Sequence, residues 1–242
     1  MTVRPLKAIF FDIDDTLFST TEFAEKARKE SITQMIRHGL KVSEKDALYE
    51  LKEVIHEFTS NYEHHFDKLL LRFPEEATAG VNPAILVAAG VVGYHETKFR
   101  QLRPYPDVVE VLDTLSRTDL ILGIISAGLA IKQAEKLVRL DIYRYLNPEA
   151  IFISDQIGIS KPNIKLYQKA CRRLGLDPTH VMYIGDNPIA DIDPTNQLGM
   201  ITVRNRRATQ HGFADGKTMP DYEIHNFFDL LAILKRDFGV ES

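Results

Sequence analysis

The stretch Lys7-Ala8-Ile9-Phe10-Phe11-Asp12-Ile13-Asp14-Asp15-Thr16-Leu17 decides the fold. Its apolar run is too short for a good helix and reads as a strand buried on both faces, as in a parallel sheet. The run ends abruptly in carboxylates. Open α/β sheets bind ligands in the crevice beyond the carboxyl ends of their strands, so Asp12 is expected at a strand end and Asp14 in the turn after it. Like charges crowded in one place raise each other's pKa unless a cation compensates them. A functional site therefore explains the cluster better than a solvated acidic turn.

Around this stretch lies a chain of 242 residues, 44% hydrophobic and 26% charged, values ordinary for a globular enzyme. The net charge of -4 supplies no basic footprint of the kind a phosphate backbone requires, which argues against nucleic acid as the main partner. The one basic cluster, Arg204-Asn205-Arg206-Arg207, is expected to be a solvated loop after a strand. A single cysteine, Cys171, excludes an intrachain disulfide and agrees with a reducing, cytoplasmic location. Its amphipathic setting makes it a small packing residue and not a nucleophile. The N-terminus has no secretory pattern, and the longest apolar stretch, 84–94, is too short to span a bilayer, so no membrane contact is expected.

Beyond Leu17 the pattern becomes helical. Ser19-Thr20-Thr21-Glu22 has capping-box spacing, and the stripe Ala24, Ala27, Ser31 and Met35 is mostly small, which permits close packing against a neighbouring helix. Ser43 offers a second N-cap, before Ala47, Leu48, Leu51, Val54, Ile55 and Phe58 at helical period. A shorter helix carries Phe66, Leu69, Leu70 and Phe73 and ends before Pro74, and a fourth begins at Asn82-Pro83. Four helices are too much material for one crossover, so residues 18–100 are expected to be an inserted helical domain. Residues 1–17 and 101–242 then form the core. Turn chemistry at Arg103-Pro104-Tyr105-Pro106-Asp107 marks the return to it, with Asp107 expected as an N-cap. Short apolar strands at 120–125, 150–154, 180–184, 200–203 and 222–225 alternate with helical segments. The fold class expected is α/β, a Rossmann-like doubly wound and mostly parallel sheet. Residues 211–220 should be an exposed loop.

Three later strand ends complete the constellation. Ser126-Ala127-Gly128 offers a hydroxyl and backbone N–H groups suited to phosphate oxygens. Lys161, before Pro162 and the N-cap candidate Asn163, is a point charge able to reach phosphate or offset carboxylates. Gly185-Asp186 and Asp191 repeat the opening theme, and hard oxygens at a strand end suit Mg²⁺. The adjacent pair His64-His65 points in two directions on a helix and reads as polar surface.

In kind, order and placement, Asp12-Ile13-Asp14-Asp15-Thr16, Ser126, Lys161 and Gly185-Asp186 with Asp191 resemble the haloacid dehalogenase-like hydrolase superfamily, and specifically its phosphatases. The helical insertion looks like the cap of subfamily I. The segment 24–40 is similar to a small group of archaeal magnesium-dependent phosphatases. The resemblance implies Asp12 as the nucleophile forming an aspartyl-phosphate, and Asp14 as general acid and then base. It implies Ser126 and the Ala127 N–H on phosphoryl oxygens, with Lys161 neutralising their charge. Mg²⁺ would sit on the Asp12 side chain, the Asp14 backbone carbonyl and Asp186, with Asp191 orienting the ligands or Lys161. The implied partner is a small phosphorylated metabolite, with room for a homodimer. Carbon–halogen or phosphonate cleavage is disfavoured by Asp14, and a non-catalytic regulatory or scaffold protein retaining the fold is the rival from another class. Two departures stand out. Pro194-Thr195 replaces the usual Gly-Ala after Asp191, and Asp107 stands where glycine is common.

Overall fold

The computed structural model describes residues 5–208, 211 and 214–240. It divides into two compact units, one made of the chain up to Thr21 with Arg103 onward, the other of Glu22–Leu102. In the first unit, strands β1 (Ala8–Phe11), β2 (Ile121–Ser126), β3 (Ile151–Ile153), β4 (Val181–Gly185), β5 (Ile201–Asn205) and β6 (Tyr222–Ile224) form one sheet in the order β3-β2-β1-β4-β5-β6. Every pairing is parallel. The expected doubly wound sheet is therefore present, and β1 lies at its centre with every residue buried. Phe10 packs edge-on against Phe152, and Phe11 stacks on Phe227. A core cluster of Ala8, Phe10, Ile125, Phe152, Tyr167 and Tyr183 fills the space beneath the helices on one face.

Register puts the chemistry on one edge. Phe11 pairs with Ile124 on one side and Ile184 on the other, so Asp12, Ile125-Ser126 and Gly185-Asp186 leave the sheet together. The Asp12 N–H continues the ladder to the Ile184 carbonyl at 2.9 Å. Strand order reverses between β1 and β4, and the crevice at such a switch point is where open sheets bind ligands.

Among the helices of this unit, α5 (Pro106–Leu115) starts with proline at its first position, and Tyr105 at the N-cap makes no side-chain cap. Asp107 is thus not the N-cap expected from the sequence. It is buried, and its carboxylate takes two hydrogen bonds from the Arg207 guanidinium, at 2.8 and 2.7 Å, and one from the Phe227 N–H at 2.7 Å. Phe227 opens α10 (Phe227–Phe238), so the acid caps a helix 120 residues away. The basic cluster is likewise not a solvated loop. Arg204 and Asn205 belong to β5 and are buried, Arg204 donates to the His211 and Ala214 carbonyls, and Arg206 pairs with Glu223. Residues 214–220 are mostly exposed, as expected, while Gly212 and Phe213 of the predicted 211–220 loop lie outside the described residues.

The second unit holds α2 (Glu44–Phe58), α3 (His65–Leu70), α4 (Pro83–Gln101) and most of α1 (Thr20–Arg37). Ser43 and Asn82 cap their helices as their residue types predict. Its own core gathers Ile32, Met35, Leu51, Leu69 and Leu86. The small stripe of α1 meets glycines of α4. A Cβ at Gly93 would lie 3.0 Å from the Glu30 carbonyl oxygen and the Ser31 Cα, so the two helices approach as closely as backbone allows. No helix among the described residues is long and apolar enough to cross a membrane.

Candidate active site

Lys161 lies in the loop between α7 (Ser154–Ile157) and α8 (Ile164–Arg173) and is the centre of the strand-end cluster. Its ammonium donates to Asp12 Oδ1 at 2.7 Å, to Asp191 Oδ1 at 2.8 Å and to the Tyr183 hydroxyl at 2.6 Å. Side-chain exposure there is 5% for Lys161 and 1% for Asp191, so these contacts are made out of water. Burial alone would lower the lysine's pKa, but Asp12 and Asp191 outweigh it and keep the group charged.

Asp191 is brought back to the strand end by a five-residue π-helical turn, Pro188–Ile192. Asn187 caps this turn, and its own N–H donates to Asp191 Oδ2 at 3.1 Å. Gly185 is required below, because a Cβ there would overlap the Asp191 carboxylate. Thr195, in α9 (Asp193–Gln197), returns its hydroxyl to the Asp191 carbonyl, which is what the Pro194-Thr195 departure supplies. Tyr183 Oη passes the network on to the Ile125 carbonyl at 2.9 Å.

Charge in this pocket does not balance. Oxygens of Asp12, Asp186 and Asp191 lie within 4.8 Å of one another, and Lys161 is the ammonium that pairs with two of them. Burial, then Asp191 and Asp12, push the Asp186 carboxyl up to about 8. Burial also pushes Asp12 up, to about 6, against the pull of Lys161 and with help from Asp191 and Asp14. Three buried carboxylates against one ammonium leave room for a divalent cation, and an all-oxygen donor set suits a hard ion such as Mg²⁺. Asp191 has both oxygens engaged by Lys161, Tyr183 and Asn187, whereas the Asp186 carboxylate accepts no hydrogen bond among the described residues. Ser126, 1% exposed, has a buried hydroxyl without a hydrogen-bond partner among the described residues, at the same edge. An orphaned buried hydroxyl costs about 1–3 kcal/mol, the kind of debt an anionic ligand settles.

Asp14 takes a different set of partners. Lys136 Nζ lies 2.6 and 2.7 Å from its two oxygens, Thr20 Oγ1 donates at 2.7 Å and Gln133 Nε2 at 3.2 Å. Burial would raise its pKa, but Lys136, helped by Thr20 and Gln133, holds it below the usual carboxylate value. Asp15 is structural: its carboxylate accepts from the N–H groups of Thr20 and Thr21 at the start of α1. Ala127 contributes its carbonyl to Gln133 at 2.6 Å. Lys136 and Gln133, on α6 (Ala130–Leu140), and Tyr183 were not singled out in the sequence. For Gln133 a signal existed, since an amide shares the buried stripe with Leu137 and Leu140.

A parallel sheet whose central strand ends in a buried aspartate, bound by a buried lysine and flanked by further acids, defines an α/β protein with a strand-end aspartate site. The family model described as haloacid dehalogenase-like hydrolase matches residues 9–205, and the chain belongs to that family. It is 42% identical over 235 residues to the glyceraldehyde 3-phosphate phosphatase of Methanopyrus kandleri, covering 95% of this chain and 97% of the relative. With the protein of that name from Pyrococcus furiosus it shares 40% over 241 residues, 99% and 98% of the two chains. The crystal structure of a HAD phosphatase from Thermococcus onnurineus superposes with a TM-score of 0.67 at 23% identity, covering 95% and 98%, a likeness of fold.

Proposed function

We propose that the protein is a Mg²⁺-dependent phosphatase of a small phosphomonoester, that Asp12 carries the phosphoryl group as an aspartyl-phosphate, and that glyceraldehyde 3-phosphate is the substrate. The observation that carries this reading is the unbalanced buried acid cluster beside the orphaned Ser126 hydroxyl. The substrate follows from relatives bearing that name across almost their whole length.

Asp12 Oδ attacks phosphorus, the bond to the leaving oxygen breaks, and Asp14, held ionised by Lys136 in the free site, relays to that oxygen the proton that a phosphomonoester monoanion brings. Asp14 then takes a proton from water, whose oxygen attacks phosphorus and returns the electron pair of the acyl-phosphate bond to Asp12. Ser126 and the Ala127 N–H hold phosphoryl oxygens, and Lys161 offsets their charge. The Asp12 and Asp186 side chains and the Asp14 carbonyl would hold Mg²⁺, with Asp191 orienting Lys161. When bound, the ion neutralises carboxylate and phosphate charge that would otherwise repel. The helical insertion of residues 18–100 acts as a movable cap, hinged near Phe18 and residues 100–104, that admits small substrates.

Phosphate release from glyceraldehyde 3-phosphate and a panel of phosphorylated metabolites is the test. EDTA should abolish it, Mg²⁺ should restore it, and Ca²⁺ should substitute poorly because of its looser coordination. Undiminished release in chelator would remove the metal assignment. A phosphoprotein hydrolysed faster than any metabolite would remove the cap's role, and lack of turnover on every phosphomonoester would remove the phosphatase reading.

A further inference from the structure

The side of the site away from Lys161 holds a second cation that the chemistry above does not use. Lys136 Nζ bridges both oxygens of Asp14, at 2.6 and 2.7 Å, and stands 6.0 Å from the Phe18 ring centroid. One turn earlier on α6, Gln133 Nε2 spans from Asp14 Oδ2 to the Ala127 carbonyl, at 3.2 and 2.6 Å. Positions three apart on a helix share a face, so both side chains reach the same carboxylate. Gln133 is 4% exposed and is fixed by packing. The backbone has been shaped for it as well: Gly128 has φ of +133°, and a Cβ there would lie 2.6 Å from Gln133 Nε2. From the other side Thr20 Oγ1, in the first turn of α1, closes on Asp14 Oδ1 at 2.7 Å. Asp14 is thus clamped by three side chains, two of them from the helix that follows the Ser126 strand end.

We propose that Lys136, with Gln133, is the positioning residue for Asp14. The inference rests on the phosphatase reading for what Asp14 does, and adds the residues that aim it. The two α6 side chains fix the direction of a carboxylate that lies beyond the sheet, where its backbone is tied by an isolated bridge to Phe18. They also tie it to Ala127, so that the acid and the phosphate-holding loop keep one relative geometry. Misplacing a reacting group by about 1 Å costs about 10²-fold in rate.

The experiment compares Lys136→Met, Lys136→Arg and Gln133→Met in the full chain with Mg²⁺. On an alkyl phosphate, Lys136→Met should lower kcat about 10- to 100-fold with KM within about twofold, Gln133→Met should lower it less, and Lys136→Arg should recover most of the loss. The same Lys136→Met change in an Asp14→Asn background should alter the rate of phosphoryl transfer to Asp12 from an activated aryl phosphate by less than about twofold. An equal loss in that background would make Lys136 act independently of Asp14 and overturn the proposal, as would unchanged kcat or an effect confined to KM. If Lys136→Met fails to fold, the arginine and Gln133 variants decide by the same signs. Absence of turnover by the wild-type protein would sink the phosphatase reading alone. Crystal structures of wild type and Lys136→Met would then decide, and an Asp14 carboxylate in the same place in both would overturn the positioning role.

Discussion

Asp12 and Asp14 are two residues apart yet held by different lysines, and that separation gives them different surroundings. Asp12 shares Lys161 with Asp191 inside a buried cluster, while Asp14 is claimed by Lys136, Gln133 and Thr20. An alkoxide leaving group needs a proton in the transition state, a contribution of ~10²–10⁴-fold, and an activated phenolate needs it far less. Asp14→Asn should therefore lose turnover on alkyl phosphates but still accept a phosphoryl group on Asp12 from an aryl phosphate and stall there. Asp12→Asn should lose both steps. Intact-protein mass spectrometry with Mg²⁺ reads the trapped group, and wild-type turnover of an alkyl phosphate by the Asp14 variant would end the acid–base assignment. The acids were legible because a short apolar run ending in carboxylates is a local pattern. Lys136 was not, because its partner is 122 positions earlier in the chain and an exposed-looking lysine on a helix carries no local mark. Tyr183 was hidden for another reason: a tyrosine fits a buried strand by its ring alone, and only the fold reveals that its hydroxyl meets Lys161.

The elements themselves followed from periodicity and caps. Ser43, Asn82 and Asn163 start helices where residue type and spacing put them, because an N-cap is satisfied within three residues. Asp107 misled for the converse reason. It occupies the right kind of position for a cap, but proline takes the first turn of α5, and the carboxylate is drawn to Arg207 and to the start of α10. The one contact joins α5, the segment after β5 and α10. Burial would raise the Asp107 pKa, but Arg207 and the Phe227 N–H hold it below the usual value. A depressed pKa contributes stability that is present above the unfolded value near 4 and is lost as pH falls through the folded value. Asp107→Asn should thus cost roughly 3 kcal/mol by leaving Arg207 unpaired, and the cost should shrink below about pH 4. Urea denaturation at pH 7 and pH 3.5 measures both. Equal stability of variant and wild type at pH 7 would show that the pair contributes nothing.

Each compact unit has its own hydrophobic cluster, and all the groups that would hold phosphate or metal belong to the sheet unit. The chain leaves and rejoins that unit at neighbouring points, since the Tyr105 N–H bonds the Leu17 carbonyl at 3.0 Å. Replacing residues 22–102 by a short Gly/Ser linker should leave a folded sheet unit, measurable by circular dichroism and cooperative melting, and an unfolded product would show that the sheet depends on the insertion. Ion binding should appear as stability of this sheet unit. In the metal-free protein, Asp12 is raised to about 6 and Asp186 to about 8, so between roughly pH 4 and these values the native state binds protons that the unfolded chain has released. Stability then falls as pH rises, the opposite sign to a salt-bridged carboxylate. Mg²⁺ binds the deprotonated acids and should offset that fall. At about 100 times its dissociation constant an ion adds ~2.7 kcal/mol, and 1 kcal/mol moves the melting point of a chain this size by about 2–4 °C. Scanning calorimetry in EDTA should therefore show a melting point that drops between pH 5.5 and pH 8, and in Mg²⁺ one about 5–10 °C higher at pH 8 with little shift at pH 5.5. A melting point in EDTA that is flat across this range and unmoved by Mg²⁺ would mean that the acid cluster is compensated by protein groups alone, and would withdraw Asp12 and Asp186 as metal ligands.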